Sequence, residues 1–269
     1  MGTQYYYLVS SLPDIGLDDG RTPPPFLATL SGIEDNVTES DRALFSLFRR
    51  PYDNRNLITL LTGRAFEFHP FGTYSRADLE NEIRSPVSLP DYMQELIDAY
   101  RDKKNLFPGL NIEDQLDWLF YDGMTTHPNS FIRDFFAQDL HLRNIASALN
   151  GRRSKTPPVL LGQNEVTDAL SRSSAPDFGL SGTFPWAESL FSIDITQSIE
   201  FEKKLDSTRW NIAEELCALS FFGVETLLSF SVRLSISIRW HDMTSDKGKE
   251  RFDAVLETML NQLPSLSSY

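Results

Sequence analysis

Four carboxylates, Glu113, Asp114, Asp117 and Asp122, fall within ten residues. They are the densest set of groups in the chain able to hold a divalent cation or move a proton. A metal-dependent hydrolase built on them, with His127 nearby, is one reading. The other is a solvated helix face whose acids lie near its start, where the helix dipole favours negative charge, and it fits the spacing better. His69, His127, His141 and His241 stand at no metal-ligand spacing from one another or from the lone Cys217. No G-x-S-x-G surrounds a serine, and Gly162, Gly179 and Gly182 do not form a phosphate-binding loop. Cys217, flanked by Leu216 and Ala218, reads as a buried structural thiol. No catalytic, cofactor-binding or metal-ligating residue is therefore assigned, and the chain reads as a non-enzyme.

A repeated pattern carries more. Arg55 to Arg64 reads R-N-L-I-T-L-L-T-G-R and Arg143 to Arg152 reads R-N-I-A-S-A-L-N-G-R, 88 residues apart (143 − 55). Duplicated stretches point to a duplicated structural unit. Gly63 and Gly151 read as helix stops. Asn56 and Asn144 are harder to explain, because asparagine inside a helix is unfavourable unless its amide finds a partner. Asn144 also shares a face with Leu140 and Ala148. Asp139 is placed to offset Arg143 at i,i+4. Arg152, Arg153 and Lys155 have no acidic neighbour in sequence, and form a basic spot free to meet an acidic surface. The candidate interaction or repeat residues are thus Arg55, Asn56, Arg64, Asp139, Arg143, Asn144, Arg152, Arg153 and Lys155.

The elements that must position them are helical. Thr38, Ser75, Asn111, Asn129 and Asn164 each precede an apolar stripe of helical period. Residues 14–36, with Pro23-Pro24-Pro25, predict an irregular connection, and Pro51 predicts a break between two helices. Phe230 to Trp240 alternates as a strand would, yet no partner strand is evident, so helix is expected there too. A last helix is expected from about Ser245, with Phe252, Leu256 and Leu260 on its stripe. The fold class is mainly α, helical hairpins arranged as two or three related V-shaped units. The division falls at 1–151 and 152–269, with Arg152 to Pro158 as a linker.

Composition bounds the partners. A net charge of −13 over 269 residues argues against nucleic acid and against anionic lipid surfaces. The most apolar run, Leu219 to Trp240, contains Glu225, Arg233 and Arg239 and is a poor membrane span. A single cysteine and the lack of a basic-then-apolar leader predict a cytoplasmic protein.

Several short motifs occur in a fixed order. They are Tyr5-Tyr6-Tyr7-Leu8-Val9 with Leu12-Pro13, the D-N-x-N-L core of Phe48 to Leu61, R-N-I-x-x-A-L from Arg143, and Leu161-Gly162-Gln163-Asn164-Glu165. Asp177-Phe178-Gly179-Leu180, Arg209-Trp210 and Arg239-Trp240 follow. From about Tyr5 to Leu260 this order resembles a bacterial family of unknown function encoded beside V-type ATPase subunits. That family is distantly similar to the C/d-type connector subunits of archaeal and vacuolar ATPases. The resemblance implies an all-helical, three-unit protein seated between the rotor stalk and the proteolipid ring, peripheral to the inner membrane. Asp53–Leu61 and Asp139–Leu149 would be two of that family's recurrent stretches, and Asp206–Ile212 a degenerate third. A stand-alone helical adaptor is the alternative.

Overall fold

Side-chain oxygens start the main helices where the sequence places them. Thr38, Asn111 and Asn129 each accept a backbone N–H from three residues on, and Ser75 with Asp78 and Asn164 with Thr167 form reciprocal capping boxes. Each such cap is worth about 1 kcal/mol. In the computed structural model, residues 3–17, 20–64, 67–193 and 198–244 are described. Every regular element among them is a helix.

In chain order these are α1 (Tyr6–Ser10), α2 (Phe26–Glu34), α3 (Glu39–Thr62), α4 (Arg76–Arg84), α5 (Asp91–Arg101) and α6 (Ile112–Thr125). Then follow α7 (Ser130–Ser154), α8 (Glu165–Arg172), a 3-10 turn (Pro185–Ala187), α9 (Glu188–Phe191), α10 (Ser198–Cys217) and α11 (Val224–Thr244). The alternating stretch Phe230–Trp240 lies in α11, as helix. The helix expected from Ser245 lies outside the described residues.

Three expectations need correction. The segment after Pro25 is not all irregular: Phe26, Leu30 and Ile33 bury one helical stripe, and the three prolines only set where α2 begins. Pro51 does not break the chain into two helices, for α3 runs through it over 24 residues. An interior proline costs about 3 kcal/mol, but buried Phe45 anchors the turns before it, and Asp53 and Asn56 anchor those after it. Nor does Gly151 stop α7. The helix continues to Ser154 and is capped by Lys155 in the left-handed region (φ 56), so it also crosses the 151/152 division. Gly63 is the left-handed cap of α3 (φ 66), as the sequence suggests.

Gly151 is instead a contact point. A Cβ there would lie 2.8 Å from the Thr156 carbonyl oxygen and 3.2 Å from the Pro158 nitrogen, both backbone. Gly151→Ala is therefore expected to destabilise the fold by about 1–3 kcal/mol, the usual cost of overpacking. Gly63→Ala meets no such contact and should cost only the left-handed strain, about 1 kcal/mol. Chemical denaturation of both variants checks the order.

Three cores result. The second half of α3 and the first half of α6, with α4 and α5, enclose Leu57, Leu79, Met93, Ile97 and Leu116. The second half of α7, with α8, α9 and the start of α10, encloses Leu142, Ile145, Leu170, Phe178, Leu190 and Phe201. Between them an aromatic core of Phe26, Phe45, Phe131, Phe135, Phe136 and Phe230 joins α2, α3, α7 and α11.

Candidate functional site

The repeated asparagines do the same thing in both places. Asn56 and Asn144 are wholly buried. Asn56 donates from Nδ2 to the His69 carbonyl (2.9 Å) and accepts from the His69 N–H through Oδ1 (2.7 Å). Asn144 donates to the Leu161 carbonyl (2.8 Å) and accepts from the Leu161 N–H (2.9 Å). Each amide thus pairs with one residue of the chain returning from its own helix, then a capping box starts the next short helix, α4 or α8. We refer to this pairing as a clip.

The two units differ one helical turn earlier. Asp53 accepts the Thr73 N–H (2.7 Å), the Thr73 hydroxyl (2.7 Å) and the Tyr74 N–H (3.2 Å), which pins residues 69–74 a second time. Burial raises its pKa, and those hydrogen bonds work in the opposite direction. The 88-residue offset puts His141 at the corresponding place, where it packs against Phe184 (ring centroids 4.8 Å) and its Nδ1 is buried without a partner. Burial lowers the His141 pKa. The unfolded chain therefore binds the proton more readily below about pH 6.5, and the stability His141 lends above that pH is lost as pH falls through its depressed pKa. His141→Phe is expected to flatten the fall in Tm between pH 7 and pH 5. An unchanged slope would count against a neutral, buried His141.

Asp139 does not pair with Arg143. It accepts the Tyr121 hydroxyl (2.6 Å) and Arg209 Nε (2.6 Å), while Arg209 Nη1 reaches Asp206 (2.9 Å) on its own helix. Asp206, with a side chain only 3% exposed, also accepts from Arg239 and from Trp240 Nε1 (3.0 Å). Helices α7, α10 and α11 are tied by this chain of alternating charge. Burial opposes the charge on Arg209, but Asp139 and Asp206 outweigh it and hold its pKa above the usual arginine value. Burial, then Asp139, pushes the Tyr121 hydroxyl up.

Asp139 and Arg209 lie at the wall of a cavity of about 210 Å³, otherwise lined mainly by Phe45, Phe48, Pro51, Tyr52, Phe135 and Phe136. Both Asp139 oxygens are engaged, and Ser231 and Ser235 donate to carbonyls of their own helix. Burial pushes the Tyr52 hydroxyl up. The lining of the cavity is mainly apolar.

The remaining sequence candidates are dispersed. Arg143 turns to α6 and donates to Asp114 (2.7 Å) and Asp117 (3.4 Å). Burial pushes the Asp117 carboxyl up to about 6, with Arg143 working against it. Arg64 pairs with Glu113, so three of the four α6 carboxylates are engaged by the repeat's own arginines. Asp122 is exposed. Among the described residues no three His, Cys, Asp or Glu side chains assemble as metal ligands. Cys217 is half-buried and donates to the Glu214 carbonyl (3.3 Å), less enclosed than its neighbours suggest.

The basic spot is not wholly outward. Arg152 donates to the Ser173, Ala175 and Pro176 carbonyls at 2.6–3.1 Å and lies 3.4 Å over the Phe178 ring. It fastens the 173–178 loop to α7. Arg153 and Lys155 are exposed at the same end, and Arg55 is exposed on α3. The Asp206 stretch keeps the charges of the other copies but not the clip, since Asn211 is exposed.

Asp206, Arg239, Trp240 and Asp53 enter the sequence reading only inside family motifs and are not among its candidate interaction residues. The available signal is a charge on an apolar stripe, with Asp206 next to Leu205 and Asp53 three residues before Asn56. A family model described as "Protein of unknown function (DUF2764)" matches residues 2–263. No curated protein and no solved structure matches the chain.

Proposed function

The chain belongs to this family of proteins of unknown function, and from that premise we propose that it is a non-enzymatic component or accessory of a V-type ATPase. Its role would be that of a C/d-like connector between rotor stalk and proteolipid ring, or an assembly aid, on the cytoplasmic face of the inner membrane. The observation that carries the reading is the matched pair of clipped helical units, each with its own core. Rigid, duplicated hairpins are what a mechanical connector needs, because force is transmitted only through elements that do not deform. The engaged carboxylates of α6 and of the cavity support a structural role over a hydrolytic one. No described helix is long and apolar enough to cross a membrane.

Co-purification tests the proposal. A tagged chain should bring rotor-stalk and ring subunits with it from detergent-solubilised membranes. Their consistent absence, with the ATPase itself intact in the same preparation, would sink it.

A further inference from the structure

Among the described residues, one end of the molecule carries several large apolar side chains that are exposed. The turn between α10 and α11 exposes Leu219 (95%) and Phe221 (72%). Phe222, beside them, is drawn in: its carbonyl accepts the Tyr5 N–H (2.7 Å) and its ring lies 4.6 Å from that of Tyr6. That bond seats α1 against the turn and brings Tyr6 (56% exposed) and Tyr7 (94%) to the same end. Single exposed apolar residues are ordinary, but a contiguous group is not.

The turn is also held in shape. The Ser220 N–H donates to the Cys217 carbonyl (2.8 Å), the Ser220 hydroxyl to Glu225 (2.6 Å), and the Thr226 hydroxyl back to the Ser220 carbonyl. Gly223 fits where a Cβ would lie 2.3 Å from the Ser220 and Glu225 side chains. The tip is therefore presented by a fixed scaffold, which lowers the entropy lost on docking.

Charge around the tip is mainly acidic, although Arg42, bonded to the Glu34 carbonyl, stands beside Asp41. Residues 212–226 contain Glu214, Glu215 and Glu225 and no lysine or arginine. Tyr5 reaches Asp41 at the start of α3, where Glu39 adds a further acid. The nearest cation on α11, Arg233, is already paired with Glu214 (2.7 Å). An aromatic and aliphatic tip inside an acidic collar matches the make-up of a protein-binding hot spot with a charged rim.

We propose that this tip, Tyr6, Tyr7, Leu219 and Phe221, is a docking surface for a cationic segment of a partner protein that presents an apolar face. A second copy of the chain fits poorly, because two acidic collars would face each other. An anionic bilayer is disfavoured by the same repulsion. The proposal goes beyond the ATPase reading and holds whether or not that partner is an ATPase subunit.

The test uses the full chain and a fluorescently labelled amphipathic helical peptide of leucine and lysine. Controls are a scrambled peptide of the same composition, a leucine–glutamate counterpart, and vesicles of zwitterionic and of anionic phospholipid. The amphipathic cationic peptide should bind at least tenfold more tightly than either control peptide. Leu219→Ser with Phe221→Ser should weaken that binding at least tenfold, as should Glu215→Lys. Val87→Ser, at an equally exposed site on another part of the surface, should leave it unchanged. All replaced side chains are exposed, and circular dichroism checks that the fold persists. Binding that ignores the tip variants overturns the proposal, as does equal binding of the scrambled peptide. Tip-dependent capture by vesicles in place of peptide, or a dimer mass that the tip variant halves, overturns it in favour of lipid or self-association.

Discussion

Asp206→Ala is expected to cost about 3–5 kcal/mol of folding stability, the range for removing one partner of a buried ion pair. The size follows from what is left behind. Asp206 accepts from Arg209, Arg239 and Trp240 at once, and its side chain is almost fully enclosed. Without it Arg209 retains its bond to Asp139 and Arg239 its pair with Glu202, while the bond from the Trp240 N–H to Asp206 is lost. Arg239→Met is the instructive contrast. Its side chain is 43% exposed, so the loss should be about 0–1 kcal/mol, typical of a solvent-screened pair. Urea denaturation of the two variants measures both. Equal losses would mean that the network is not organised around Asp206.

Asn144→Ala is expected to cost about 2–5 kcal/mol, because the N–H and the C=O of Leu161 would both be buried without partners, each at about 1–3 kcal/mol. Asn144→Asp should be at least as damaging, since it keeps an acceptor, loses the donor and adds a buried charge. Asn56→Ala should cost less than Asn144→Ala, although the two clips look alike. Residues 73 and 74 stay bonded to Asp53 in the first unit, and the second unit has no such reserve, with His141 in the matching place. Asn211→Ala, on the clip-less third stretch, should change stability by no more than about 0.5 kcal/mol. A loss below about 1 kcal/mol for Asn144→Ala would make the clip incidental to the fold.

The helical class, the capping residues and the importance of Asn56 and Asn144 are legible in the sequence because each rests on local chemistry. A short polar side chain before an apolar stripe is a cap, and an amide on a buried helix face must be bonded. What is not legible depends on distance along the chain. Asp139 has a plausible partner in Arg143 four residues on, yet it bonds to Arg209, 70 residues away, and Arg143 bonds to Asp114, 29 residues back. Nothing local distinguishes these alternatives. Gly151 shows a second kind of ambiguity. A helix stop and a close backbone approach both call for glycine, and only the position of Thr156 and Pro158 separates them. Arg152 likewise counts as an unpaired cation when only carboxylates are considered, whereas its partners are backbone carbonyls and a ring face. The prolines mislead in opposite ways. Those at 23–25 hide the helix they introduce, and Pro51 suggests a break that the packing on either side does not allow.

The two clips also set the time scale on which parts of the chain meet solvent. The amides of His69 and Leu161 sit in irregular segments, where exchange with deuterium is ordinarily fast. Both donate to a side chain rooted in the middle of a long helix. Neither can open unless the clip breaks, so each should exchange as slowly as the helical core around it, Leu161 as a single protected amide in its loop and His69 alongside the Thr73 and Tyr74 amides held by Asp53. In Asn144→Ala the Leu161 amide should join its fast neighbours while His69 remains slow. The clips thus make the returning segments part of the same cooperative unit as α3 and α7, and opening one of them requires disturbing a helix.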